Sequence, residues 1–184
     1  MNEAQETICG IDEAGRGTLA GSLFVAGVIL KHPILGLKDS KKLSPKRRFE
    51  LYDSIVAHSL YHVVSFDSEQ IDSLGLSHCL REAIIQIKTQ LQADQYIMDG
   101  NTTFGIPGIE ALIKGDDLIP AISAASILAK VSKDREMVHY DALYPEYGFA
   151  QHKGYGTAEH IQKICELGMT RIHRKSFKIR QKLF

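Results

Sequence analysis

Apolar Ile8, Cys9 and Ile11 precede the first acid, Asp12. This pattern over 7–12 predicts a short strand, ending where Gly15 and Gly17 permit a tight turn. The run SLFVAGVIL (22–30) is almost continuously apolar and rich in strand-forming residues, so it predicts a strand buried on both faces. Strand, glycine turn and strand together make a hairpin. Residues 31–48 are polar and predict a loop. Ser44 and Pro45 predict a helix start, serine as N-cap and proline at the first helical position. Phe49, Tyr52, Ile55 and Val56 form that helix's apolar stripe. Residues 61–66 predict a third strand, and Asp67 or Ser68 caps a short helix containing Ile71 and Leu74. Ser77 starts a longer helix with Leu80, Ala83, Ile84, Ile87 and Leu91 on one face. The run QYIMDG (95–100) predicts a short buried strand ending at Asp99. Residues 121–143 predict a helix whose inward stripe is Ala124, Ile127, Leu128, Val131 and Val138. Thr157 N-caps a last helix that Gly168 stops. The order of elements predicts a mixed α/β sheet covered by helices.

A length of 184 residues suits one domain, and 44% apolar content suffices for a core. Cys9, Cys79 and Cys165 are far apart and form no C-x-x-C pair, which argues against a disulfide framework or zinc knuckle and for a reducing compartment. With no secretory leader pattern and no bilayer-length apolar run, the sequence predicts a cytoplasmic protein. The net charge is zero but unevenly spread. Residues 149–184 hold eight basic and two acidic residues, a net of +6, leaving −6 on the remainder. An acidic body with a basic end suits a metal site in one part and phosphate contacts in another.

The stretch GIDEAGRGTLAG (10–21) places Asp12 and Glu13 beside Gly15, Arg16 and Gly17. Gly15, Gly17 and Ala20 fit a dinucleotide fingerprint, but that motif needs a helix after the glycines, and a strand follows here. Asp99 ends a buried strand, where ligands of open α/β sheets usually bind. Asp134 lies on the inward stripe of its helix, three residues after Val131. A charge there is costly unless it is paired, for which Lys130 at i−4 is available, or coordinates a metal. Asp116 and Asp117, in KGDD, read as solvated loop acids. Converging carboxylates repel one another, and divalent cations remove the repulsion. Oxygen ligands suit Mg²⁺ or Mn²⁺, and an all-carboxylate site among basic loops suggests phosphodiester hydrolysis by two metals.

The blocks GIDEAGRG, LKDSKKLSPKRR, IMDGN, PAISAASILAKVSKDR, QHKGYGTAEH and HRKSF occur in this order and together closely resemble the bacterial ribonuclease HII family across nearly the whole chain. The resemblance implies an RNase H-like five-stranded mixed sheet flanked by helices over 1–145, with a helical, basic substrate-binding segment over 146–184. It implies cleavage of the RNA strand of RNA–DNA hybrids, and cleavage 5′ to single ribonucleotides in duplex DNA, giving 3′-hydroxyl and 5′-phosphate ends. The family's four metal-binding carboxylates map onto Asp12, Glu13, Asp99 and Asp134, holding two divalent ions. Its Gly–Arg–Gly loop maps onto Gly15, Arg16 and Gly17, which contact the 2′-hydroxyl, the group that separates RNA from DNA. The tyrosine that stacks on the following sugar maps onto Tyr155, and Lys41, Lys42 and Lys153 are expected phosphate contacts. Thr18 and Ser22 stand where the family usually has proline, a departure expected to loosen the turn. The proline usual after KSF is also absent. Ribonuclease HIII, with glutamate as fourth acid and an extra N-terminal domain, fits less well. A monomer is expected. Gln181, Leu183 and Phe184 resemble a sliding-clamp peptide with imperfect spacing.

Overall fold

A computed structural model describes residues 6–179. Five strands form one sheet: β1 (Ile8–Ala14), β2 (Leu23–Leu30), β3 (Ser59–Phe66), β4 (Gln95–Asp99) and β5 (Glu110–Leu112), in the order β3-β2-β1-β4-β5. β1–β2 and β2–β3 are antiparallel, whereas β1–β4 and β4–β5 are parallel. The sheet is therefore mixed, and the expected hairpin is β1–β2. Its glycine turn leads into a strand, as anticipated, so no helix N-terminus is present there to hold a pyrophosphate. β5 has only three residues and one partner, too short to show a period of two.

Helices cover both faces. On one, α3 (Leu76–Gln90) packs Leu80, Ala83, Ile84 and Ile87 against Cys9, Ile11 and Val25. On the other lie α1 (Pro45–His58) and the long α5 (Pro120–Leu143), which bury Leu51, Ile55, Ala124, Ile127 and Leu128 against Ala26 and Val28. Ser44 caps α1 by accepting from the Arg47 N–H at 3.3 Å. The cap of α2 (Ser68–Leu74) is Asp67, in a reciprocal capping box with Gln70. Two glycines set the spacing of the layers. A Cβ on Gly10 would lie 2.3 Å from the backbone of Ala121 and Ile122, and one on Gly27 would lie 2.3 Å from Ile87 Cγ2. β1 is thus pressed directly onto the start of α5, whose alanines permit the approach. Among the described residues no helix is long and apolar enough to cross a membrane.

Two side chains depart from the predicted stripes. Phe49 is exposed, because α1 turns Leu51 and Ile55 inward; Arg135 lies over the Phe49 and Tyr52 rings instead, at 5.4 and 4.3 Å. Val138 is also exposed. After Asp134 the inward position comes three residues later, at Met137, which packs with Ala20, Tyr147, Phe149 and Ile172.

Beyond α5 the chain forms the one-turn α6 (Phe149–His152) and α7 (Ala158–Leu167), the latter capped by Thr157 and ended at Gly168 as predicted. This segment is tied back by buried histidines. The Thr170 N–H donates to His173 Nδ1 at 2.9 Å, His173 and His160 meet through their Nε2 atoms at 3.1 Å, and His160 Nδ1 contacts the Tyr155 carbonyl at 2.8 Å. Only neutral rings satisfy this chain: His173 carries its proton on Nε2 and His160 on Nδ1. His152 stacks on His160 at 4.1 Å.

Burial holds His160 and His173 down at about 4, against an ordinary 6.5. A folded-state value below the unfolded one means that their contribution is complete above about 6.5 and is lost as pH falls towards 4. Denaturant midpoints are expected to fall across that window, and less steeply in His160→Gln. Separately, Gly10→Ala should destabilise the fold by about 2 kcal/mol or more, because backbone must move. Gly17→Ala, with nothing within 4 Å of its Cβ, should stay within about 0.5 kcal/mol. Chemical denaturation of both variants checks this.

Candidate active site

The parallel pairing of β1 with β4 creates the site. Ile11 is in register with Met98, so Asp12 and Asp99 are the next residues along two neighbouring strands. They emerge together at the C-terminal edge of the sheet, where open α/β sheets bind ligands. The third acid comes from α4 (Gly115–Leu118), the single turn between β5 and α5. The Gly115 N–H donates to Asp99 Oδ1 at 2.8 Å, and a Cβ on Gly115 would meet Ile122 Cδ1 at 2.7 Å. This close seat presents Asp116 to the two strand ends. Carboxylate oxygens of Asp12, Asp99 and Asp116 all lie within 4.8 Å of one another.

Asp116 is buried, not solvated as its loop setting suggested, while Asp117 pairs with Lys42 at 2.6 Å. The usable signal was its place: a Gly-Asp pair directly ahead of a proline-started helix returns to the same sheet edge as Asp99. Asp134 is not brought into this group. It is buried, but its Oδ1 lies 2.6 Å from Lys130 Nζ and its Oδ2 3.8 Å from Arg48 Nη2. The inward face of α5 turns it towards these two cations. Among the described residues the structure thus brings Asp116, rather than Asp134, beside Asp12 and Asp99.

Glu13 flanks the three. Its Oε1 lies 3.5 Å from Arg16 Nη1, and its Oε2 is buried without a hydrogen-bond partner. The electrostatics are those of a site short of positive charge. Burial, then Glu13 and Asp99, push the Asp12 carboxyl well above the ordinary range, despite the Glu13 N–H donating to it at 2.7 Å. Burial raises Glu13 too, with Arg16 opposing, and burial followed by Asp99 and Asp39 raises Asp116. Lys41, one residue into the 3₁₀ turn Ser40–Lys42, loses stability as a cation through burial. Attraction to Asp39, Asp12, Asp116 and Asp99 outweighs this and raises its pKa. Crowded hard oxygens and an unpartnered buried one fit a divalent cation such as Mg²⁺ or Mn²⁺.

Gly15 takes φ +91°, and its carbonyl accepts from the Thr18 hydroxyl at 3.1 Å. Beneath the turn, fully buried Arg174 donates to the Gly21 carbonyl at 2.8 and 3.0 Å and to the Arg16 carbonyl at 3.3 Å. Buried Lys133 fills the space under Gly15; burial, then Arg174, push it down to about 7. The Ser22 N–H donates to Glu136 Oε2 at 2.9 Å and its hydroxyl bonds Oε1 of the same carboxylate. Thr18 and Ser22 therefore tie the turn down rather than loosening it, because a proline could make neither side-chain bond nor donate at position 22.

Arg16 and Gly17 are exposed at the lip of the turn. Tyr155 is 43% exposed, with Lys130 Nζ 5.9 Å from its ring centroid. Lys153 ends α6 in the left-handed conformation, φ +51°.

A family model described as ribonuclease HII matches residues 9–180. A ribonuclease HII from Sulfurovum sp. (strain NBC37-1) is 49% identical over 180 residues, covering 98% of this chain and 96% of the relative. One from Campylobacter concisus (strain 13826) is 52% identical over 176 residues, covering 96% and 95%. Among solved structures, the PCNA:RNase HII complex from Archaeoglobus fulgidus matches with a TM-score of 0.81 at 29% identity, over 96% of this chain and 97% of the other. A buried acidic cluster at a sheet edge, joined to sequence identity near one half over the whole length, leads to one assignment: the chain belongs to the ribonuclease HII family of metal-dependent nucleases that act on RNA–DNA substrates.

Proposed function

We propose that this chain cuts the RNA strand of RNA–DNA hybrids and cuts 5′ to single ribonucleotides embedded in duplex DNA, leaving 3′-hydroxyl and 5′-phosphate ends. The observation that carries the reading is the convergence of Asp12, Asp99 and Asp116 within 4.8 Å beside a glycine-flanked arginine. Asp12, Glu13, Asp99 and Asp116 would hold two divalent ions, with Glu13 supplying its unpartnered Oε2. When bound, Mg²⁺ or Mn²⁺ supplies Lewis-acid activation of water and charge neutralisation at the phosphodiester.

The chain's own groups do the rest. Gly17 has open space around its α-carbon, so a sugar can approach the backbone of the turn, whose polar groups and Arg16 read the 2′-hydroxyl. Arg174 and Lys133 hold that turn from below, which fixes where the scissile phosphate sits against the acids. Tyr155 offers an exposed ring to the next sugar. Lys41 faces the acids and contacts the phosphate nearest them; Lys42 and Lys153 extend the basic track.

The A. fulgidus relative was solved with PCNA. Gln181, Leu183 and Phe184 lie outside the described residues, and by sequence we assign them a clamp contact. Deleting Leu183 and Phe184 is expected to abolish pull-down of a bacterial sliding clamp while leaving cleavage unchanged; unchanged pull-down rejects the contact.

Cleavage of a duplex with one embedded ribonucleotide tests the main reading. Wild type should cut 5′ to the ribonucleotide with Mg²⁺ or Mn²⁺, not with chelator, and should leave all-DNA intact. Asp116→Asn should lower kcat at least ~100-fold. Binding without cutting in every metal condition would make the protein a hybrid-binding module instead. Lys41→Ala should raise KM and reduce the slope of log KM against log salt by about 1.

A further inference from the structure

The buried aspartate of α5 outside the acidic cluster has a different set of partners, and these reach both the Lys41 turn and Tyr155. Arg48 is the first. Its Nη1 donates to the carbonyls of Ser40 at 2.8 Å and Leu43 at 2.7 Å, clasping the 3₁₀ turn Ser40–Lys42 that carries Lys41, while its Nη2 faces Asp134 at 3.8 Å. The same turn is tied to α5. The Ser40 and Ser126 hydroxyls share a hydrogen bond of 2.7 Å. Lys130 is the second partner, at 2.6 Å from Asp134 and 5.9 Å from the Tyr155 ring centroid.

One carboxylate thus holds two cations that flank opposite substrate contacts. All three side chains are largely buried, at 18% exposure or less. In such a place, removing the shared anion leaves two desolvated cations facing each other, and they must move apart. Moving Arg48 releases the Lys41 turn; moving Lys130 removes the charge beside Tyr155. Neither motion touches the three clustered acids directly.

We propose that Asp134 is a positioning residue for the nucleic-acid strand, acting through Arg48 on the Lys41 turn and through Lys130 on Tyr155, and is not a metal ligand. The inference rests on the cleavage reading above.

The test measures KM and kcat on an RNA–DNA hybrid, together with Mn²⁺ affinity by titration calorimetry without nucleic acid. Asp134→Asn should raise KM on the order of tenfold, with kcat within about threefold of wild type, and Mn²⁺ affinity unchanged. Lys130→Gln and Arg48→Gln should each raise KM, and Asp134→Asn combined with Lys130→Gln should be no worse than the poorer single variant, because the three act as a unit. Circular dichroism checks folding. If Asp134→Asn does not fold, the two cation variants carry the test through the same KM-against-kcat split. Weakened Mn²⁺ binding with collapsed kcat in Asp134→Asn would make Asp134 a ligand and overturn the proposal. Additive effects, or cation variants with unchanged KM, would overturn it as well. Wild type that fails to cut the hybrid rejects the cleavage reading itself and is recognised before any variant is compared.

Discussion

Two parallel strands that end side by side place carboxylates where carboxylates repel. The β1–β4 register puts Asp12 and Asp99 on the same rung at the sheet edge, and the Gly115 seat adds Asp116. Burial removes the water that would screen them, so the protonated form of Asp12 gains over the charged form. The fold sustains this because β1 is held rigidly. It is the central strand, pressed onto α5 at Gly10 with no room for a side chain. The charge of a divalent cation would offset that repulsion, and the oxygen donors gathered here suit a hard metal ion.

Around the acids the positive groups are divided by depth. Arg174 and Lys133 are fully buried and work on carbonyls and space beneath the glycine turn. Lys41 and Arg16 are exposed and Lys153 is half-buried. This separation matters because a buried group bonded to backbone carbonyls, as Arg174 is, fixes geometry, whereas an exposed cation attracts phosphate with a strength that salt can screen. The C-terminal segment completes the frame: His160, His173 and Arg174 anchor it to the Tyr155 loop and to Ala20 at the end of the turn.

Periodicity made the large elements legible. The apolar run of β2, the stripe of α3, and the Ser44 and Thr157 caps each carry a local physical signal, and each element lies where that signal puts it. That Asp12 and Asp99 meet at the sheet edge was legible, because strand ends in such sheets bind ligands. The third carboxylate of the cluster was not. Asp134 looked costly on a buried stripe, but the Lys130 one turn away already balances it, and Arg48 arrives from a distant helix that spacing cannot reveal. Asp116 was hidden for the opposite reason. Its tetrapeptide is polar, and only the three-residue β5 and the one-turn α4 carry it back to Asp99; neither is long enough to leave a pattern. Phe49 and Val138 show a smaller version of the same limit, since one helix stripe can drift by a residue as its packing partners change.

The central claim is that the acids from β1, β4 and α4 form one cation site. Anomalous diffraction from crystals grown with Mn²⁺ tests it directly. The account predicts anomalous density bounded by the Asp12, Asp99 and Asp116 carboxylates, with Glu13 turning its free oxygen towards it and Asp134 still paired to Lys130. Density at Asp134, or none near Asp116 in crystals whose solution protein binds Mn²⁺, would contradict it.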